Sequence, residues 1–186
     1  MQPFEKADRA HNPQLRDPCP LTKLGSPVSL SEEEERTLAQ FVARYPEKRA
    51  AILPLLWMVQ EKYGWVPEEA FPVAAERCGT SLSHVYGVVS FYTMFNRSPI
   101  GRYHLRLCTN LSCQLRGAEH LLQCLRERLQ IDLTETTPDR LFTLDEVECL
   151  AACEMAPALQ VNDALVGPLD EKGLDALLQK LRDGVG

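Results

Sequence analysis

At 186 residues the chain can build one large domain or two small ones without disulfide support. Hydrophobic residues make up 45% and charged residues 25%, which excludes a disordered chain, and no apolar run approaches the roughly 20 residues that span a bilayer. The formal net charge of −6, with no Lys/Arg cluster against it, argues against nucleic acid as a partner.

Residues 1–28 mix acids with bases and contain no apolar segment, unlike a secretory signal or an acid-poor transit peptide. They read as a flexible lead-in. Helical signals then dominate to about residue 90. In SLSEEEERTLAQFVARYP, Ser29 or Ser31 can cap a helix with Glu32 or Glu34 three residues on, and four glutamates suit the positive end of the helix dipole. KRAAILPLLWMVQEKYGW reads as a second helix, apolar on much of its circumference, with Pro54 kinking it or lying in its first turn and Gly64 stopping it. PEEAFPVAAERCG follows with Gly79 as its C-terminal stop, then SLSHVYGV as a short fourth helix. No catalytic constellation appears in this bundle, and its His84 reads as structural.

Near Val88 the pattern changes. VVSFYTMF is rich in β-branched and aromatic residues, and NRSPIG is turn-like. RYHLRLC alternates Tyr103, Leu105 and Leu107 against His104 and Arg106, a strand with one buried face. GAEHLLQCLRERLQI reads as an amphipathic helix, LFTLDEVEC as a second strand, ALQVND and ALVG as a short hairpin, and LDEKGLDALLQKLRDG as a closing helix. The expected organisation is a lead-in at 1–28, a helical bundle at 29–95 and a domain of interleaved strands and helices at 96–186, an α+β or α/β chain.

The seven cysteines are Cys19, Cys78, Cys108, Cys113, Cys124, Cys149 and Cys153. An odd count without an export signal suggests a reducing compartment, where clustered thiols bind metal more often than they form disulfides. Cys108 and Cys113 are spaced C-x4-C; after 35 residues Cys149 and Cys153 are spaced C-x3-C. In both pairs an alternating strand runs directly into the loop that carries the cysteines. If those strands are neighbours in one sheet, four thiolates converge at one edge. Zinc favours tighter knuckles, whereas a two-iron cluster accepts wider loops; spacing alone leaves both open. Thr109, Asn110 and Ser112 are candidate donors to cluster sulfurs, and a helix beginning near Gln114 would turn its positive end towards the same anion. Pro157 closes the second loop. Cys19, Cys78 and Cys124 read as free thiols, Cys124 packed mid-helix. A thiol–disulfide enzyme normally wants C-x2-C, which neither pair provides.

AILPLLWMVQEKYGWVPEEA, VYGVVSFYTMFNRSPIGRYHLRLCTNLSCQLRG and VECLAACEMAPALQVND together resemble the thioredoxin-like [2Fe–2S] subunit family of respiratory complex I, the NADH:quinone oxidoreductase. The resemblance runs from about residue 30 to 183. It implies a helical N-terminal region before a thioredoxin-like ferredoxin domain, with Cys108, Cys113, Cys149 and Cys153 ligating one [2Fe–2S] cluster. It also implies a one-electron carrier docked beside an NADH- and FMN-binding subunit in a peripheral arm on the cytoplasmic side of the bacterial inner membrane. No GxGxxG fingerprint is present, so NADH and FMN are expected on the partner. Similar subunits serve NAD-dependent formate dehydrogenases and hydrogenases, and a structural zinc module is the alternative of another class. The chain departs from the family pattern at Ala151, where glycine is frequent, and at NDALVGPLD, which lacks an acidic, aromatic hairpin end. If Ala151 must be left-handed, alanine costs about 1 kcal/mol there.

Overall fold

The computed structural model describes residues 25–184; Cys19 and most of the expected lead-in lie outside them. The chain divides between Pro99 and Ile100 into two units.

The first unit is helical. α1 (Glu32–Ala43) starts at Ser31, where a complete capping box forms: Glu34 N–H donates to Ser31 Oγ at 3.2 Å, and Ser31 N–H donates to the Glu34 carboxylate at 2.5 Å. α2 (Ile52–Tyr63) follows a 3₁₀ turn over Lys48–Ala51. Pro54 therefore lies in the first turn of α2, where its missing N–H costs nothing. Gly64 ends α2 at φ 83° and Gly79 ends α3 (Ala70–Cys78) at φ 62°, left-handed positions where glycine carries no Cβ penalty. α4 (Leu82–Phe91) runs well past Val88, so the β-like composition of VVSFYTMF does not make a strand. Val85 and Val89 lie one helical turn apart and both are buried, and that packing overrides local β propensity. Leu38, Leu55, Leu56, Val59, Phe71 and Phe95 share their core, which also takes in Val28 from the end of the expected lead-in.

The second unit is a five-stranded mixed sheet with helices, in the order β2 (Glu135–Thr136), β3 (Phe142–Val147), β1 (Tyr103–Cys108), β4 (Leu159–Val161), β5 (Ala164–Val166). β1 and β3 are parallel; the other pairings are antiparallel. Between β1 and β2 lie α5 (Leu111–Leu115) and α6 (Ala118–Leu129), and α7 (Glu171–Arg182) closes the chain. Tyr103, Leu105 and Leu107 enter the core with Phe142, Leu144, Leu159 and the apolar stripes of α6 and α7. The strand was expected to bury one face only. His104 on the opposite face is buried as well, because Asp145 on β3 reaches its Nε2 at 2.5 Å and satisfies the ring.

Candidate metal centre

Two parallel neighbours leave a sheet from the same edge, and this is what assembles the site. Cys108, the last residue of β1, stands opposite Val147, the last residue of β3. Thr109 N–H continues the ladder one step further, donating to Val147 O at 3.1 Å. Two residues beyond Val147 comes Cys149, so both cysteine loops start side by side.

The first loop turns at Asn110, whose side chain accepts from Leu111 N–H at 2.8 Å. α5 then aims Cys113 inward and Leu111 and Leu115 outward, 69% and 78% exposed. The amphipathic helix expected over 117–131 is α6, whereas the helix expected to begin near Gln114 starts earlier, at Leu111, as the short α5; Gly117 at φ 93° separates the two. Thr109 Oγ1 is directed to Val147 O at 3.4 Å, so Thr109 and Asn110 hold the loop's backbone. The second loop needs a left-handed residue at Ala151, φ 54°, which brings Ala151 N–H to Cys149 Sγ at 3.2 Å. A 3₁₀ turn over Cys153–Met155 follows. The chain then returns alongside the first loop, where Ala158 O accepts from Cys108 N–H at 3.0 Å.

Cys108 and Cys113 are buried, 3% and 2% exposed, while Cys149 and Cys153 are exposed. Ala118, Ala152, Ala156 and Ala158 pack with the buried pair, and Val147, Leu150 and Met155 close the rim. Four alanines keep this wall shallow; larger side chains would fill the space a centre needs. Burial pushes the Cys113 thiol up; a backbone contact with Ala158 opposes this, and neighbouring Cys108 and Cys153 reinforce it. Such a pocket resists isolated thiolates and favours thiolates whose charge a bound metal offsets. The donor set, the shallow wall and the backbone N–H aimed at Cys149 suit a sulfur-ligated iron centre.

Sequence reasoning missed the brace behind the second loop. Gly167 follows β5 directly, and a Cβ there would lie 2.2 Å from Met155 O and 3.0 Å from Pro157 O. Only its position in a hairpin exit hints at this, since the contact spans twelve residues of sequence. The other expected free thiols stand apart from the loops: Cys78 is buried at the end of α3, and Cys124 is buried on α6. His84 is exposed on α4, with its backbone N–H donating to the Ser81 cap at 3.2 Å.

A family profile described as thioredoxin-like [2Fe-2S] ferredoxin matches residues 38–182. The E 2 subunit of the NADH-quinone oxidoreductase of Rhizobium meliloti (strain 1021) is 49% identical over 140 residues, 75% of this chain and 83% of its own length. Subunit 2 of the NADH-quinone oxidoreductase of Thermus thermophilus is 44% identical over 156 residues, 82% of this chain and 86% of its own. Among solved structures, an NAD+-reducing [NiFe]-hydrogenase in the air-oxidized state shares the fold at a TM-score of 0.61 and 20% identity, over 71% of this chain and 23% of that one.

Proposed function

Because the chain belongs to the thioredoxin-like [2Fe–2S] ferredoxin family, we propose that it is the electron-transferring subunit of an NADH–quinone oxidoreductase, with Cys108, Cys113, Cys149 and Cys153 holding one [2Fe–2S] cluster. The parallel pairing of β1 with β3 carries this reading, because it delivers both cysteine loops to one sheet edge. The bound group would supply one-electron redox chemistry without making or breaking substrate bonds.

The chain's own residues supply the rest. Cys108 and Cys113 hold the inner side, and the alanine wall with Met155 and Leu150 keeps water from it. Cys149 and Cys153 lie at the exposed rim, which leaves a short path to a redox partner. Leu111 and Leu115 present two apolar side chains next to Cys113, an arrangement suited to a docked protein rather than to water. We assign that partner as the NADH- and FMN-binding subunit, within a peripheral arm on the cytoplasmic side of the membrane. The likeness to NADH-quinone oxidoreductase subunits supports this reading; among the described residues no helix is long and apolar enough to cross a membrane.

The test is anaerobic purification of the tagged chain from its native host, with iron, acid-labile sulfide and zinc counted per chain. About two irons and two sulfides, a rhombic spin-half EPR signal after dithionite, and co-purifying NADH–quinone oxidoreductase activity are expected. Zinc without sulfide would overturn the electron-carrier reading. A full cluster with formate dehydrogenase or hydrogenase subunits in place of the quinone-reducing ones would overturn the assembly and retain the carrier.

A further inference from the structure

A second group of metal-ligand side chains lies on α6 and α7, separate from the four cysteines of the loops. His120 and Cys124 are four residues apart on α6 and therefore project from one face of the helix. Glu171, the first residue of α7, meets them there. Their ligand atoms all lie within 4.8 Å of one another. We propose that His120 Nε2, Cys124 Sγ and the Glu171 carboxylate form a second metal site, for a zinc-class divalent cation with one coordination position open to solvent.

The spacing fits. A tetrahedral zinc ion with nitrogen and oxygen near 2.05 Å and sulfur near 2.3 Å separates N from S by roughly 3.6 Å and N from O by roughly 3.4 Å. His120 Nε2 lies 3.6 Å from Cys124 Sγ and 3.4 Å from Glu171 Oε2. The remaining sulfur–carboxylate edge, within 4.8 Å, needs at most about 1.2 Å of closure, within reach of the half-exposed Glu171 side chain.

Charge and outer contacts fit as well. Arg128 donates to Glu171 Oε1 at 2.6 Å and also pairs with Asp175, so the carboxylate is fixed through one oxygen while Oε2 stays turned towards His120. Orienting a ligand from behind is the usual task of a metal site's outer shell. A dication, a Cys124 thiolate, the carboxylates of Glu171 and Asp175 and the Arg128 guanidinium sum to zero with neutral His120. Burial of Cys124 raises its thiol first of all, with the Glu171 charge next. Cys124 sits inside while His120 is largely exposed, so the ion enters from the His120 side and a water completes the tetrahedron.

The test uses the full chain with its iron–sulfur centre loaded, titrated with Co²⁺ as the spectroscopic probe and with Zn²⁺ in competition. The expected result is one Co²⁺ per chain with a thiolate-to-metal charge-transfer band, displaced by Zn²⁺. Cys124→Ala should abolish that band, and His120→Ala and Glu171→Gln should each weaken uptake roughly tenfold or more, with iron and sulfide content unchanged. His120 is exposed, so His120→Ala isolates the site even if Cys124→Ala folds poorly. No Co²⁺ uptake by the wild type, or equal uptake in wild type and His120→Ala, would overturn the proposal.

Discussion

The sharpest perturbation of the centre lies outside it, at Gly167→Ala. The added Cβ would sit 2.2 Å from Met155 O, where ordinary contacts begin near 3.4 Å, and 3.0 Å from Pro157 O. Both obstacles are backbone, so no side chain can swing aside; the second cysteine loop or the end of β5 must move by about 1 Å. Overpacking of this kind costs about 1–3 kcal/mol. Met155 ends the 3₁₀ turn that Cys153 begins, so the displacement reaches that thiol directly. The assay is urea unfolding of the loaded chain with EPR of the dithionite-reduced protein. A lower unfolding midpoint and shifted or broadened g values are expected. Gly173→Ala serves as the control, because its Cβ would meet only side-chain atoms, Asp170 Oδ1 at 3.1 Å and Leu169 Cδ2 at 3.6 Å. Gly167→Ala with wild-type midpoint and wild-type EPR would refute the claim that this glycine braces the loop.

Serine at Cys108, Cys113, Cys149 or Cys153 should lose or alter the EPR signal, while Cys124→Ser should leave it intact; an unchanged signal removes that residue from the ligand set. Ala151→Gly relieves a left-handed alanine at φ 54° but loosens the unfolded chain, so a gain below about 1 kcal/mol with unchanged EPR is expected from chemical denaturation. The Lys62 ammonium, 2.8 Å from Glu34, is the main cause holding that carboxyl below its ordinary 4.5, with the capping-box bond to Ser31 next. A carboxylate depressed on folding stabilises fully above its unfolded value and loses that contribution as pH falls through the folded one. Glu34→Gln keeps a capping-box side chain and removes the charge, so its deficit, about 0.5 kcal/mol, should be constant above pH 5 and shrink below about 4.5. A deficit independent of pH would contradict this.

The elements that sequence reading located well are those with signals inside one turn of chain. Ser31 and Glu34 lie three residues apart, and their reciprocal bonds need no distant partner. Gly64 and Gly79 stop helices through their own φ values. The alternation of β1 and of Phe142–Val147 marks strands from neighbouring residues alone. Longer-range effects were less legible. Val88 and its neighbours look β-like locally, yet the apolar face shared by Val85 and Val89 keeps them helical against the bundle core. The helix expected near Gln114 begins at Leu111 instead, as a short α5 that buries Cys113 and leaves Leu115 exposed before Gly117 opens α6. The burial of His104 depended on Asp145, 41 residues away and outside any local pattern.

By itself, the sequence determined which atoms are on offer: two pairs of thiols, C-x4-C and C-x3-C, each at the end of a strand. The tertiary structure decided that β1 pairs with β3 in parallel, that Cys108 therefore faces Val147, that Ala158 joins the return from the second loop to Cys108, and that Gly167 backs the second loop. The same packing joined His120 and Cys124 to Glu171 across two helices. A spacing constrains neighbours along the chain through bond geometry, whereas contacts between distant segments arise only when a shared core selects one strand order and one helix docking from the many that local propensity allows.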